Sequence, residues 1–222
     1  VRRGGRAIVN EATVSIGGGE LVALIGPNGA GKSTLLRAIA GIEPVDSGEI
    51  SVDGESIAGL PRRELARRLS LMAQRFSVAF GFSALETVLM GRSPYLDGFG
   101  FPSPSDIELA EESLETMDVA SLAERPVGEI SGGEQQRVQF ARAIVQQTGV
   151  ALFDEPTSAQ DFHGVRLVCR RLRAMAEDGV AVMAALHDLN LASRFFDRAL
   201  LIDEGRIVAD DHPHEVLRSD AL

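Results

Sequence analysis

Glu20-Leu21-Val22-Ala23-Leu24-Ile25 runs straight into Gly26-Pro27-Asn28-Gly29-Ala30-Gly31-Lys32-Ser33-Thr34, and the reading of this junction decides the fold. The first segment is short and, after Glu20, continuously apolar, the pattern of a strand buried on both faces. The glycine-rich segment is a turn. Beyond it Leu35, Leu36, Ile39 and Ala40 fall at helical spacing, and Gly41 is placed to cap the end of a helix over residues 33–40. Gly26 to Ser33 fits G-x-x-x-x-G-K-[ST]. At ordinary residue usage the pattern arises by chance in roughly one chain in a hundred, and here it also sits between a predicted strand and a predicted helix. The spacing has a mechanical reason: small residues let successive backbone N–H groups turn inward around phosphate oxygens, with the positive end of the helix behind them. Lys32 is then placed to meet β- and γ-phosphate oxygens and Ser33 to offer its hydroxyl to Mg²⁺. Lys32 is also the only lysine among 22 basic residues, a compact ammonium kept at one place in a chain that otherwise uses arginine.

Outward from this junction, Ala7 to Ile16 and Gly48 to Val52, with the Asp53-Gly54 turn, read as strands of an antiparallel layer. Residues 61–68 are predicted as an arginine-rich helix and 69–73 as a strand. The last third alternates again: strands at 150–153 and 180–185, each followed by a helix (164–177 and 189–196), then a hairpin through Glu204-Gly205. Such alternation implies a parallel sheet covered by helices. Between 77 and 127 the strand pattern vanishes and helices are expected at 84–90, 105–117 and 119–124. The fold class is therefore α/β: a phosphate-loop core over 1–76 and 128–222 with a parallel sheet, an antiparallel β layer and a helical subdomain inserted at 77–127, all one domain.

Composition narrows the function. With 222 residues the chain is long enough for a sizeable core. Its 32 acidic residues against 22 basic give a formal net charge of −10, which disfavours nucleic acid as a partner. No window reaches the roughly 18 uncharged apolar residues of a membrane span, so a soluble chain is expected. One cysteine, Cys169, cannot form an internal disulfide, which fits a reducing compartment. It falls on the apolar face of its helix and carries no redox role. His212-Pro213-His214 reads as a polar turn before a terminal helix rather than a metal site.

Val150-Ala151-Leu152-Phe153-Asp154-Glu155 supplies a second element, an apolar strand ending in two acids. Asp154 is placed to hold Mg²⁺ through its water shell and Glu155 to act on an attacking water; Mg²⁺ favours few direct ligands and several retained waters. Between the two motifs lies Ile130-Ser131-Gly132-Gly133-Glu134-Gln135-Gln136-Arg137, which resembles the signature motif of the ATP-binding subunits of ABC transporters. In the same order Gln74 resembles that family's Q-loop glutamine, Ser158-Ala159-Gln160-Asp161 its D-loop, and His187 its switch histidine. The resemblance covers the chain from about Ala7 onward. It implies ATP and Mg²⁺ as cofactors, with nucleotide bound by residues 26–34 (Gly26, Pro27, Asn28, Gly29, Ala30, Gly31, Lys32, Ser33, Thr34) and by Ser131, Gly132, Gly133, Glu134 and Asp161. Ser33, Gln74 and Asp154 are implied to serve the metal, and Glu155, His187 and Gln74 the hydrolysis. It further implies two copies paired head to tail, each ATP clamped between one copy's Lys32 loop and the other's Ser131 motif. The physical reading agrees: Ser131 precedes an apolar-periodic helix, so its free N–H groups form a second anion site.

The chain departs from the family pattern in places. Glu134 stands for the signature glutamine, adding negative charge near a triphosphate, and Gln160 stands for the usual D-loop leucine, which bears on the dimer interface. The family commonly has an aromatic residue, stacking on adenine, about 25 positions ahead of the phosphate loop, where this sequence holds Val1; either the stacking is missing or the start has been lost, and with no initial Met a trimmed start is expected. Residues 74–94, closing on Gly91-Arg92-Ser93-Pro94, together with Ala185-Leu186-His187-Asp188-Leu189-Asn190-Leu191-Ala192, resemble importers of haem, ferric siderophores and vitamin B12, haem foremost. That group implies membrane permease subunits docked on the loop after Gln74 (Phe76, Val78, Phe80, Phe82), a substrate-binding protein reached indirectly, and a place on the cytoplasmic face of the inner membrane. The rival readings are a siderophore or vitamin B12 importer, a soluble ABC-type ATPase without a transporter, which in general carries two cassettes or a long coiled coil, and a phosphate-loop kinase, which the signature argues against.

Overall fold

A computed structural model describes residues 1–74, 81–96, 98, 100 and 101–218. The apolar run forms β3 (Leu21–Ile25), buried along its whole length, after two short antiparallel strands, β1 (Arg2–Arg3) and β2 (Arg6–Ala7). The helix after the phosphate loop is α1 (Lys32–Ile39). Gly41 takes φ +67° at its end while Ile42 N donates back to Arg37 O, which satisfies carbonyls the last turn leaves open. Next come the hairpin β4 (Ser51–Val52) and β5 (Glu55–Ser56), helix α2 (Arg62–Arg68) and strand β6 (Leu69–Met72). Asp53 and Gly54 both have positive φ, as a two-residue hairpin turn of this hand requires.

The helical stretch holds α3 (Ala84–Leu89) and α4 (Pro104–Thr116), each opened by a serine capping box, Ser83 with Glu86 and Ser103 with Asp106. Helix α5 (Gly132–Ile144) leads to β7 (Val150–Asp154), α6 (Phe162–Glu177), β8 (Ala181–Ala185), α7 (Leu189–Phe195), the hairpin β9 (Arg198–Asp203) and β10 (Arg206–Asp211), and α8 (Pro213–Arg218).

One sheet carries the order β10-β9-β3-β8-β7-β6, parallel except for β10 at its edge. Alternate residues of β3 feed opposite faces: Leu21, Ala23 and Ile25 join one apolar cluster with Phe140, Val168 and Leu172, while Val22 and Leu24 join another with Leu35, Leu36 and Leu65. The first cluster also takes in Ala84, Val88, Ala110 and Leu114, so α3 and α4 share the apolar mass under α5. Phe140 of α5 stacks on Phe153 of β7 with ring centroids 4.6 Å apart. Register then sets the site. Leu24 of β3 and Asp154 of β7 both lie opposite Ala185 of β8, so three parallel strands end side by side at one edge.

Three expected elements are shorter than their patterns suggested, and of Gly48 to Val52 only Ser51 and Val52 pair, across the hairpin to β5. The stretch Ala7 to Ile16 alternates exposed and half-buried residues, and Ala12, Val14 and Ile16 pack on the second cluster, but only Arg6 and Ala7 pair in a ladder. Alternation reports a half-buried face; it does not supply a neighbouring strand. Of residues 119–124 only Ala120–Leu122 turns, as a single 3₁₀ segment closed by Leu122 N to Val119 O and Ala123 N to Ala120 O. The apolar positions Val119 and Leu122 are core residues spaced for one turn, too few to propagate a helix.

Candidate active site

The phosphate loop is shaped by what lies behind it. Gly26 has φ +150°, and a β-carbon there would overlap the carbonyl of Ile202 on β9; Gly31 has φ +110°, with Ile8 O 2.8 Å from where its β-carbon would sit. Pro27, Asn28 and Gly29 form the exposed crest, whereas Ala30, Gly31 and Lys32 are buried and Ser33 and Thr34 half-buried at the start of α1. Gly205 N donates to Ala30 O at 2.9 Å, so the β9–β10 turn braces the loop from outside. Lys32 Nζ folds back on its own loop, donating to Gly26 O at 2.6 Å and Pro27 O at 3.0 Å. Burial lowers its pKa, opposed by the charges of Glu155 and Asp154.

Across the strand edge Ser33 Oγ donates to Asp154 Oδ1 at 3.0 Å. Asp154 is only 4% exposed, and burial raises its pKa, with the like charge of Glu155 adding to this. The Ser33 hydroxyl, the backbone N–H of Gln74 and the Lys32 charge act the other way. Gln74 thus reaches the carboxylate through its main chain, its side chain being exposed. A buried carboxylate facing a hydroxyl oxygen is a hard, all-oxygen donor pair short of positive charge, which fits Mg²⁺ completed by phosphate oxygens and water.

Glu155 takes a left-handed backbone, φ +54°, uncommon outside glycine. Its N–H donates to Ala185 O at 3.2 Å, and its carbonyl accepts from Gln136 Nε2 at 2.8 Å and Ser158 Oγ at 3.2 Å. So held, its carboxylate meets the Nε2 of His187, which follows the end of β8. The two side chains open onto a cleft that Thr157, Ser158, Asp188 and Leu191 also line.

The signature segment builds a separate surface. Ser131 caps α5: its Oγ accepts from Glu134 N at 3.3 Å, and Glu134 Oε2 accepts from Ser131 N at 2.8 Å and from Ser131 Oγ at 2.7 Å. Those bonds hold the Glu134 carboxylate below its usual pKa. Ser131 and Gly132 are exposed, and Gly133 is half-buried. Asp161, expected to meet nucleotide, serves within the chain as the cap of α6, its Oδ1 accepting from Gly164 N at 2.8 Å. In the loop after Gln74, Phe76, Val78 and Phe80 lie outside the described residues. Phe82 is 36% exposed, and its carbonyl accepts from Val127 N at 2.9 Å.

This arrangement gathers the phosphate loop, Asp154, Glu155, His187 and the Gln74 backbone at one edge and leaves Ser131 to Glu134 at the start of α5. The ABC transporter family matches residues 9–158. The chain belongs to that family. Over its whole length the cassette is 39% identical to the hemin import ATP-binding protein HmuV of Rhodococcus jostii, spanning 75% of that relative. Over 96% of its length it is 41% identical to the HmuV of Hahella chejuensis, 84% of which is covered. Among solved structures it matches a metal-chelate type ABC transporter in an inward-facing conformation at 30% identity and a TM-score of 0.79, with 91% of this chain and 76% of the other covered. It also matches a dimeric bacterial ABC transporter cassette at 28% identity and a TM-score of 0.84, covering 93% and 90%.

Sequence reasoning passed over Gln136 as a site residue and treated Gln160 only as a departure from the family. A signal for Gln136 was present: with Gln139 it is one of two amides among the buried residues of α5, and a buried amide calls for partners.

Proposed function

We propose that this cassette binds and hydrolyses MgATP to power an importer of haem, working as a head-to-tail pair docked on membrane permease subunits. The observation that carries the chemistry is the single strand edge at which Lys32, Ser33, Asp154, Glu155 and His187 converge. Backbone N–H groups of residues 29–33 would cradle the phosphates, and Lys32 would exchange its two loop carbonyls for phosphate oxygens. Ser33 and Asp154 would hold Mg²⁺, which when bound neutralises charge on the β- and γ-phosphates. The Glu155 carboxylate, freed from His187, would orient and deprotonate the attacking water, and the released imidazole would donate to the γ-phosphate. Gln74, with its side chain exposed and its main chain on Asp154, would report the state of the metal site to the helical stretch, read here as an insert at 77–127 in one ATPase domain.

Pairing is supported by the solved dimer of a related cassette, in which case the exposed Ser131 and Gly132 would complete the partner's nucleotide site. Haem as cargo is supported by the HmuV relatives and by residues 74–94 and 185–192. The permease contact is read onto the loop after Gln74, with the substrate-binding protein reached only through the permease and the cassette held peripherally at the cytoplasmic face of the membrane.

The test is the cassette assembled with its membrane subunits in vesicles, measuring ATP hydrolysis and uptake of haem, a ferric siderophore and cobalamin. Glu155→Gln should keep ATP binding and lower turnover and haem uptake together by at least about 100-fold, the usual worth of a positioned general base. Turnover close to wild type removes Glu155 from the role, and uptake of siderophore or cobalamin in place of haem reassigns the cargo.

A further inference from the structure

The residue at the D-loop position where the family resemblance expects leucine makes more polar contacts than a packing residue would. Gln160 Nε2 donates to Gly133 O at 2.9 Å and to Gln136 Oε1 at 3.1 Å, while its Oε1 accepts from Arg137 Nη1 at 3.2 Å. Both amide hydrogens and the amide oxygen are therefore engaged, all on the first turns of α5. Gln136 continues the chain of bonds. Its Oε1 also accepts from Ala159 N at 3.1 Å, and its Nε2 donates to Ser158 Oγ at 3.1 Å and to the carbonyl of Glu155 at 2.8 Å. Gly164, in the first turn of α6, leaves room for this amide: a β-carbon there would overlap Gln160 Oε1.

Two things meet at this bracket. At one end is Gly133, inside the glycine pair whose N–H groups open α5 toward an anion. At the other is Glu155, held at φ +54° by hydrogen bonds to its carbonyl and N–H. A left-handed non-glycine residue persists only where its surroundings over-determine it, and Gln136 is one of those determinants.

We propose that Gln160 is a positioning residue for hydrolysis: through Gln136 it locks the signature end of α5 to the backbone of Glu155, so that seating the partner's nucleotide on Gly133 sets the acid of this chain's own site. Coupling of this kind travels through bonds with a fixed geometry, and leucine could supply none of them. The proposal rests on the head-to-tail reading above.

The experiment uses the full-length chain, with MgATP hydrolysis measured against ATP concentration for wild type, Gln160→Leu and Gln160→Glu. Leucine removes the amide; glutamate keeps the size and an acceptor for Arg137 but loses both donors. In both variants kcat should fall about tenfold, the worth of a lost buried hydrogen bond, with KM for ATP within about twofold, because the phosphate loop is untouched. The Hill coefficient should fall toward one, and the melting temperature should hold to within a few degrees. Wild-type kinetics in either variant overturns the proposal; normal Gln160→Glu beside a defective Gln160→Leu would reduce Gln160 to packing. Activity lost only in step with folded protein in both variants also overturns it. A wild type with a Hill coefficient of one and no ATP-driven dimer removes the head-to-tail reading and the bracket with it, whereas a cooperative wild type beside equally cooperative variants removes the bracket alone.

Discussion

At the scale of single residues the site is built from groups whose charge is kept short of a partner. Asp154 is buried beside a like charge, and Lys32 is desolvated and folded onto carbonyls. Both arrangements favour a ligand that brings Mg²⁺ to the first and phosphate to the second. Glu134 runs against this logic, since an ionised carboxylate at the start of α5 stabilises the helix dipole yet, in the head-to-tail pair proposed above, would repel the partner's triphosphate. Glu134→Gln should separate the two effects. The amide can still accept from Ser131 N–H, so the cap survives, while helix stability drops by about 0.3–1 kcal/mol. Removing a like charge worth about 1 kcal/mol should lower the ATP concentration for half-maximal dimerisation roughly fivefold, and the gain should shrink as salt is raised. An ATP titration by light scattering at low and high salt checks this; unchanged or weaker ATP dependence would mean that the carboxylate does not face the nucleotide. That Lys32, Asp154 and Glu155 come together was legible in the sequence because each sits in a motif with its own spacing. The bonds of Gln136 and Gln160 were not, since they join residues far apart in sequence through amides whose direction only the fold determines.

Among the elements, the parallel strands and their helices follow directly from apolar runs and helical periodicity, because burial on both faces leaves a strand few other readings. Connection chemistry is harder to read, as the segment around Arg92 shows. Its Nε donates to Asp106 Oδ1 at 2.8 Å and its Nη1 to Val145 O at 2.9 Å, and the guanidinium lies 4.1 Å from the centre of the Tyr95 ring. Asp106 also accepts from Ser103 N at 2.9 Å and from Ser103 Oγ at 2.6 Å, so one carboxylate closes the cap of α4 and holds Arg92, whose Nη1 ties the turn after α3 to the end of α5. Between the helices expected at 84–90 and 105–117 nothing local in the sequence revealed that a buried ion pair anchors the segment around Arg92. The Ser103 bonds, then the Arg92 contact, hold the Asp106 pKa down to about 2 from 3.8. A carboxylate whose folded pKa lies below its unfolded one adds stability that is complete above about pH 4 and disappears as pH falls toward 2. Asp106→Ala should thus destabilise the chain by roughly 3 kcal/mol at neutral pH, as loss of one partner from a buried pair does. Its deficit against wild type should narrow across that acid window. Denaturant midpoints measured from pH 7 downward test both statements; a deficit that stays constant to pH 2 would mean that the ion pair adds nothing.

For the whole molecule, the head-to-tail reading predicts how stability responds to nucleotide and to protein concentration. The described residues place the Ser131 cap at the start of α5 and Lys32 at the start of α1, on opposite faces of the sheet's apolar layers. A ligand that binds only the folded chain stabilises it by about 2.7 kcal/mol at a hundredfold excess over its dissociation constant, which for a chain of this size raises the melting temperature by roughly 5–10 °C. That shift should appear for Glu155→Gln with MgATP whether or not it dimerises, because the phosphate loop alone holds the nucleotide. If two chains share each nucleotide, folding is also linked to association, and the melting temperature should climb further with protein concentration. Ser131→Arg in the Glu155→Gln background should keep the ligand shift and lose the concentration dependence, since arginine at the cap obstructs the partner's phosphates without touching its own loop. Lys32→Ala in that background should lose both. A concentration dependence that survives Ser131→Arg would mean that the chains associate through another face, and one missing from Glu155→Gln itself would mean that nucleotide does not bring two chains together.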